Sequence, residues 1–202
     1  MQKAAVIHDE NSELAFLAEK APVGYLGIIT PDGYPRVVPF NFSVLGRLVY
    51  LHGAAHGETF EYMSRGEKVT FSIDLAYSCL PSFWTSKISA CASSVLYRSA
   101  LVKGRGSIVT EVAEKIKGLT LLMEKYQPEG GYQAIDPESR TYRNILKATA
   151  VYCIQPDIIT FRINMRQKKS RPYNLALIKK LEERGQPIDL ETAREIKKLY
   201  QS

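Results

Sequence analysis

Pro39 falls in the middle of "YPRVVPFNFSV" (residues 34–44), a run whose side chains alternate as a β-strand's do. Arg36, Val38, Phe40 and Phe42 point one way, and Val37, Pro39 and Asn41 the other. A proline has no N–H for a ladder, so this strand must border a sheet edge, a bulge or an opening. Around it the pattern repeats: "VGYLGIIT" (23–30) reads as a buried strand, and "PDG" (31–33) is a turn in which Pro presets φ and Gly accepts φ > 0. After Gly46 and Arg47 come "LVYLH" (48–52), a short helix over 57–65 and "KVTFSIDLA" (68–76). Four strands at hairpin spacing, interrupted by helices rather than alternating with them, predict a small antiparallel barrel with peripheral helices, mainly β (α+β). A parallel dinucleotide-binding sheet is disfavoured, and no GxGxxG follows a strand.

The remaining segments fit that frame. "SELAFLAEK" (12–20) predicts a leading helix with Asn11 or Ser12 as cap. Residues 77–93, which hold the sole tryptophan, show neither period and read as a long covering loop. "SVLYRSALVKGRGSIVTE" (94–111) reads as two strands bent at Gly104 and Gly106, and "EVAEKIKGLTLLMEKY" (111–126) as a helix with Val112, Ile116, Leu119 and Met123 on one stripe. "AVYCIQP" and "DIITFRINM" return to strand period, and helices over about 173–184 and 190–200 close the chain. Residues 1–165 are expected to form the barrel, and 166–202 a basic helical extension.

The chain has 202 residues, enough for one domain with a real core, with 45% hydrophobic and 24% charged residues. The net charge of +6 is uneven: residues 166–202 hold ten Lys/Arg against five Asp/Glu, which leaves the body nearly neutral and argues against a nucleic-acid partner. No apolar run approaches a membrane span and Asp9 and Glu10 interrupt any leader, so the expectation is a cytoplasmic protein with no membrane partner. Cys79, Cys91 and Cys153 match no ligand or disulfide pattern and are expected to be reduced and mostly buried.

Chemistry concentrates in "HGAAHGET" (52–59), where a strand gives way to a helix. His52, Gly53, Ala54, Gly57 and Thr59 offer amides, an imidazole and a hydroxyl to an anion, although a plain strand-to-helix turn explains the same residues. His52 and His56 have no third ligand nearby, so no metal site is expected. His8 reads as a solvated residue. Arg98, among strand hydrophobics, is expected either to reach solvent or to meet a ligand anion or a partner subunit. No serine elbow or acid/base pair suggests a hydrolase.

These segments, in order and spacing over about residues 12–165, resemble the FMN-binding split-barrel superfamily related to pyridoxamine 5′-phosphate oxidase. Within it they look most like the nitroimidazole-resistance (Nim-type) flavoproteins, through the P-x-V-x-P-x-N-F strand and the Y-x-H-G/S-A junction. The resemblance implies an antiparallel split β-barrel and a homodimer with FMN in clefts between subunits. The ring would lie against Arg36, Val37, Val38, Pro39, Phe40 and Asn41, and the phosphate near Leu51, His52, Gly53, Ala54, Gly57 and Thr59. Tyr97, Arg98 and Ser99 would wall the cleft, and Gln167, in "NMRQKKSR", matches an amide of the transcriptional-regulator branch. His52 aligns with the histidine tied to nitro-group reduction, with a hydrogen-bonded cleft residue as the plainer reading. Glu58 and Thr59 depart from the family, whose members usually carry Arg or Lys there. The implied activity is an FMN-dependent oxidoreductase reducing a small, nitroaromatic-type acceptor. The alternatives are a non-catalytic flavin or haem binding protein and a flavin-sensing regulator using its basic tail. The oxidase's substrate-holding C-terminal Arg and Trp find no match here.

Overall fold

The computed structural model describes residues 10–199. They form two compact units: a barrel unit of residues 10–73 and 100–160, and a terminal-helix unit of residues 74–99 and 161–199. The strands are β1 (Gly24–Ile29), β2 (Pro35–Phe40), β3 (Phe42–Leu45), β4 (Leu48–Ala54), β5 (Lys68–Leu80), β6 (Ser94–Ile108) and β7 (Thr149–Asn164). The helices are α1 (Glu10–Lys20), α2 (Glu58–Ser64), α3 (Val112–Tyr126), α4 (Arg140–Ala148), α5 (Arg171–Arg184) and α6 (Pro187–Lys198).

The strands form one seven-stranded sheet in the order β2-β1-β5-β6-β7-β4-β3. β1 pairs antiparallel with β2 and β5, and β4 with β3 and β7. β2 and β3 therefore lie at opposite edges of the order while only Asn41 separates them in the chain. One residue spans at most about 7 Å between its neighbours' Cα atoms, so the sheet must curl until its edges meet. This closure without pairing makes it a split barrel, and it accounts for Pro39, which stands on an edge where no donor is missed. The expected single strand 34–44 is thus two.

Inside, Leu26, Phe42, Leu51, Phe71, Ile73 and Ile154 are fully buried, and the Phe42 and Phe71 rings meet edge-on at 5.3 Å. At one end Lys125 Nζ donates to the carbonyls of Ala21 (2.9 Å) and Phe42 (3.0 Å), while Tyr126 Oη accepts from Phe42 N–H at 2.9 Å and donates to the Pro22 carbonyl. Burial pushes the Lys125 amine down to about 8.

Several local expectations are corrected. Asn11 and Ser12 lie inside α1, not at its cap, and His8 lies outside the described residues. α3 buries Gly118 and Leu122 while Val112 is 53% exposed, because glycine at 118 lets the helix approach Tyr50 and Val151 so closely that a methyl group there would stand 3.0–3.1 Å from them. β6 is one strand rather than two. A methyl group on Gly104 would stand 2.1 Å from the Gln155 carbonyl, so Gly104 marks a close approach, opposite Pro156, within a continuous β7. β5 runs to Leu80, shortening the expected loop, and α4 stands where no helix was expected. Cys79 and Cys91 are exposed; only Cys153 is buried. Among the described residues no helix is long and apolar enough to cross a membrane, and no three His, Cys, Asp or Glu side chains gather as a metal site.

In the terminal-helix unit, α5 and α6 bury Leu177, Ile178, Leu181, Ala193 and Ile196 against Tyr77, Leu80 and Leu96 of β5 and β6. The basic tail is built into this core.

Candidate functional site

β4 and the start of α2 bring six of the expected residues together in the barrel unit. β4 pairs with β7 through His52↔Val151, Gly53↔Ala150 and Ala54↔Thr149. The strand period puts Leu51 inside at 0% exposure and turns His52 outward. Gly53 lies over Tyr152, where a methyl group would stand 3.1 Å from the ring, and the Tyr152 hydroxyl donates to the Ala54 carbonyl at 3.0 Å. Surrounding protein pushes the His52 imidazole below its ordinary value, so it is neutral at pH 7. Gly57, at φ 90°, turns the chain into α2, which has only seven residues and gets no side-chain cap from it. Thr59 is half-buried in the first turn.

β2 supplies the second group. Phe40 meets Tyr152 edge-on at 6.3 Å, so the ends of β2 and β4 converge on that one ring. Arg36 forms an ion pair with Glu58, the first residue of α2. The Glu58 carboxylate is thus matched by a cation from β2. On their other side β1 and β2 present an apolar face. Tyr25↔Pro39, Gly27↔Val37 and Ile29↔Pro35 stand in register, with Tyr25 43%, Ile29 54% and Val37 66% exposed. Val38 is half-buried on the opposite side, and Asn41 is exposed at the β2/β3 break.

Four expected residues lie in the other unit. Arg98 is 8% exposed and does not reach out to solvent: its guanidinium stands 3.6 Å from the Glu195 carboxylate of α6, itself held by Lys198 at 2.7 Å. Burial of an arginine is tolerated because a carboxylate meets it. The Ser99 hydroxyl points at the Arg162 carbonyl (3.5 Å), and Tyr97, just before Arg98, is half-buried. Gln167 ties the turn after β7, donating to the Ile163 carbonyl at 2.6 Å and accepting from Met165 N–H at 2.9 Å.

Residues 9–163 match the family model described as pyridoxamine 5′-phosphate oxidase. The chain belongs to this family. No curated protein matches it. Among solved structures it is similar to a putative 5-nitroimidazole antibiotic resistance protein from Bacteroides thetaiotaomicron, with 24% identity over 78% of this chain and 85% of that one at a TM-score of 0.60. It is also similar to a flavocytochrome from Azotobacter vinelandii (20% identity, 78% and 68% covered, TM-score 0.65). A third likeness is to a FAD and haem binding protein from Mycobacterium smegmatis (19%, 77% and 71%, 0.63). These likenesses establish the split-barrel fold. Within that family fold, Tyr152 and the Tyr25/Ile29 face are features that sequence reasoning passed over. The available signal was a tyrosine in strand period facing a glycine-rich partner strand, which becomes visible only once β4 and β7 are known to pair.

Proposed function

We propose that the chain is a flavin-dependent oxidoreductase of the cytoplasm, holding FMN along β2 and the β4–α2 junction and reducing a small acceptor, nitroaromatic compounds first among them. The observation that carries this reading is the convergence of β2 and β4 on Tyr152, with Arg36 at the far end of β2 paired to the first residue of α2 and an open apolar face on the other side of the strand. Family membership supports it, as do the solved relatives whose names specify a flavocytochrome and a FAD and haem binding protein.

The residues fit the group. A planar aromatic ring suits the face of Val37 and Pro39, and its phosphate suits the Thr59 hydroxyl and, reached round the edge strand β2 from its other face, Arg36, with Glu58 yielding part of its hold on Arg36. When bound, the flavin supplies the hydride or electron transfer. The chain orients the ring against β2, and a second copy of the chain laid over Tyr25, Ile29 and Val37 excludes water from it. His52, neutral at pH 7, offers one bare ring nitrogen that can take up a proton from solvent and one N–H that can pass a proton on to a reducing acceptor in the same step, which leaves the ring neutral again. A non-catalytic flavin and haem carrier is the second reading, favoured by the two relatives named for haem.

The absorption spectrum of purified protein separates them: flavin bands alone support the oxidoreductase, whereas a Soret band supports the carrier. Titrating FMN then tests the site. Thr59→Lys is expected to tighten binding and Thr59→Glu to weaken it, each by about 1–3 kcal/mol. Equal affinities in both variants and the parent would place the phosphate elsewhere. His52→Ala is expected to keep FMN and lose turnover. Light scattering is expected to give about twice 22.7 kDa.

A further inference from the structure

We infer that the terminal-helix unit carries a ligand site of its own, for a small aromatic carboxylate. The site is a cavity of about 260 Å³ between α5 and the chain that leaves β5. At roughly 30 Å³ per water molecule it has room for about nine waters, or a ligand with a single aromatic ring. One wall is a stripe of α5: Tyr173, Ala176, Leu177 and Lys180 stand at i, i+3, i+4 and i+7 and so share a face. The space opens where this stripe shrinks to the Ala176 methyl. The facing wall is Leu80 and Trp84.

Trp84 is held in place by contacts that leave its side chain lining the cavity. Its N–H donates to the Pro81 carbonyl (3.2 Å), its carbonyl accepts from Lys180 Nζ (2.5 Å), and the Arg184 guanidinium sits 4.7 Å from its ring centroid. The charges around these walls are cations. Lys180 spends one of three N–H donors on Trp84, and Lys169 stands 5.6 Å from the Tyr173 ring. The carboxylates of α5 and α6 in reach are already engaged, Asp189 by Arg184 and Ser78, Glu182 by Lys197 and Glu183 by Lys179. Aromatic and branched walls under a cationic rim select a ligand with an apolar ring and one negative group. This site stands apart from the flavin reading and does not depend on it.

Trp84 is the chain's sole tryptophan, so its fluorescence reports on the cavity alone. Titration of the full-length protein with 3-phenylpropionate is expected to give a saturable change with a Kd of about 1 mM or tighter, in line with a ligand of this size. The neutral 3-phenylpropan-1-ol is expected to bind about tenfold more weakly. Lys180→Met should erase that difference and Lys180→Arg restore it. Ala176→Phe, which fills the space from the exposed side of α5, should abolish the response with an unchanged melting temperature; Ala176→Leu serves if the larger ring disturbs folding. No saturable change in the parent, or one that survives filling at Ala176, overturns the site. Equal binding of acid and alcohol to the parent overturns the carboxylate class.

Discussion

The two units are assembled on opposite principles. In the barrel unit the interior is apolar, and the ion pairs Arg36–Glu58 and Arg47–Glu10 are on the surface. In the terminal-helix unit Ser78, Arg98, Asn174, Asp189, Thr192 and Glu195 are all buried, whereas in the barrel unit Ser43 is the buried polar residue. The barrel needs no polar addresses because strand register already decides which side chain goes inside: a slip of one residue would turn every apolar group outward. A pair of helices has no ladder to the sheet beneath it. Its seat is specified by groups that tolerate burial only beside their partners, Asp189 above all, which accepts from Arg184 Nε (2.7 Å), Arg184 Nη2 (2.5 Å) and the Ser78 hydroxyl (2.5 Å).

The sharpest way to break this contrast is to remove one member from each unit. Asp189→Ala leaves Arg184 and Ser78 without their acceptor and is expected to cost about 3–5 kcal/mol in urea unfolding. Phe42→Ala, a cavity in the barrel, is expected to cost a similar ~3–5 kcal/mol. Acid tells them apart. Arg184 holds the Asp189 carboxyl below the usual carboxylate range, so the contribution of this group is full above about pH 4 and fades as pH falls through the folded-state value. The Asp189→Ala penalty should therefore shrink below about pH 4 while the Phe42→Ala penalty persists; two penalties with the same pH profile would erase the distinction.

Alkaline pH probes a cation that the barrel half-buries. Because the Lys125 amine is pushed down to about 8, the folded state resists its charge, and stability should rise as pH goes from 8 toward 10, where the unfolded chain still holds the proton. Partial solvent screening limits the gain to about 1–2 kcal/mol. Burial pushes the Cys153 thiol up to about 11, which acts in the opposite sense over the same interval, so the rise is best measured in Cys153→Ala and should shrink on adding Lys125→Met, with Lys115, also lowered by burial, supplying the remainder. The smallest expected effect is at the surface. Glu58→Gln releases Arg36, and should change stability by no more than about 1 kcal/mol while tightening FMN severalfold. A large loss of stability would mean that this pair matters to the barrel as the buried pairs do to the helices.

What could be read beforehand follows the same line. Strand period and turn chemistry located β1, β4, β5 and both terminal helices, and Pro39 announced an edge, because these signals are local. The division at Asn41 and the continuity of β6 and β7 were not legible. Both depend on which strand lies opposite: Gly104 looked like a bend until Pro156 was its neighbour. At the candidate site, β2, β4 and the α2 start were named from a short stretch of chain, but the Arg36–Glu58 pair spans 22 positions and the Phe40–Tyr152 contact 112. Nothing near Arg98 in sequence predicts its partner Glu195, 97 positions away.

Closure through Asn41 also sets a timetable for synthesis. β4 takes β7 as its partner, and residue 49 waits for residue 154. At about 5–20 residues per second, the β3–β4 hairpin must persist for roughly 5–20 s on the ribosome with one edge bare, and an isolated hairpin is barely stable in water. Until then the sheet that leads from β2 round to β3 through β1, β5, β6, β7 and β4 cannot close either, since its later strands do not yet exist. The nascent chain is therefore expected to remain protease-sensitive up to the emergence of residues 149–160 and to become resistant in a single step, with no gradual gain strand by strand.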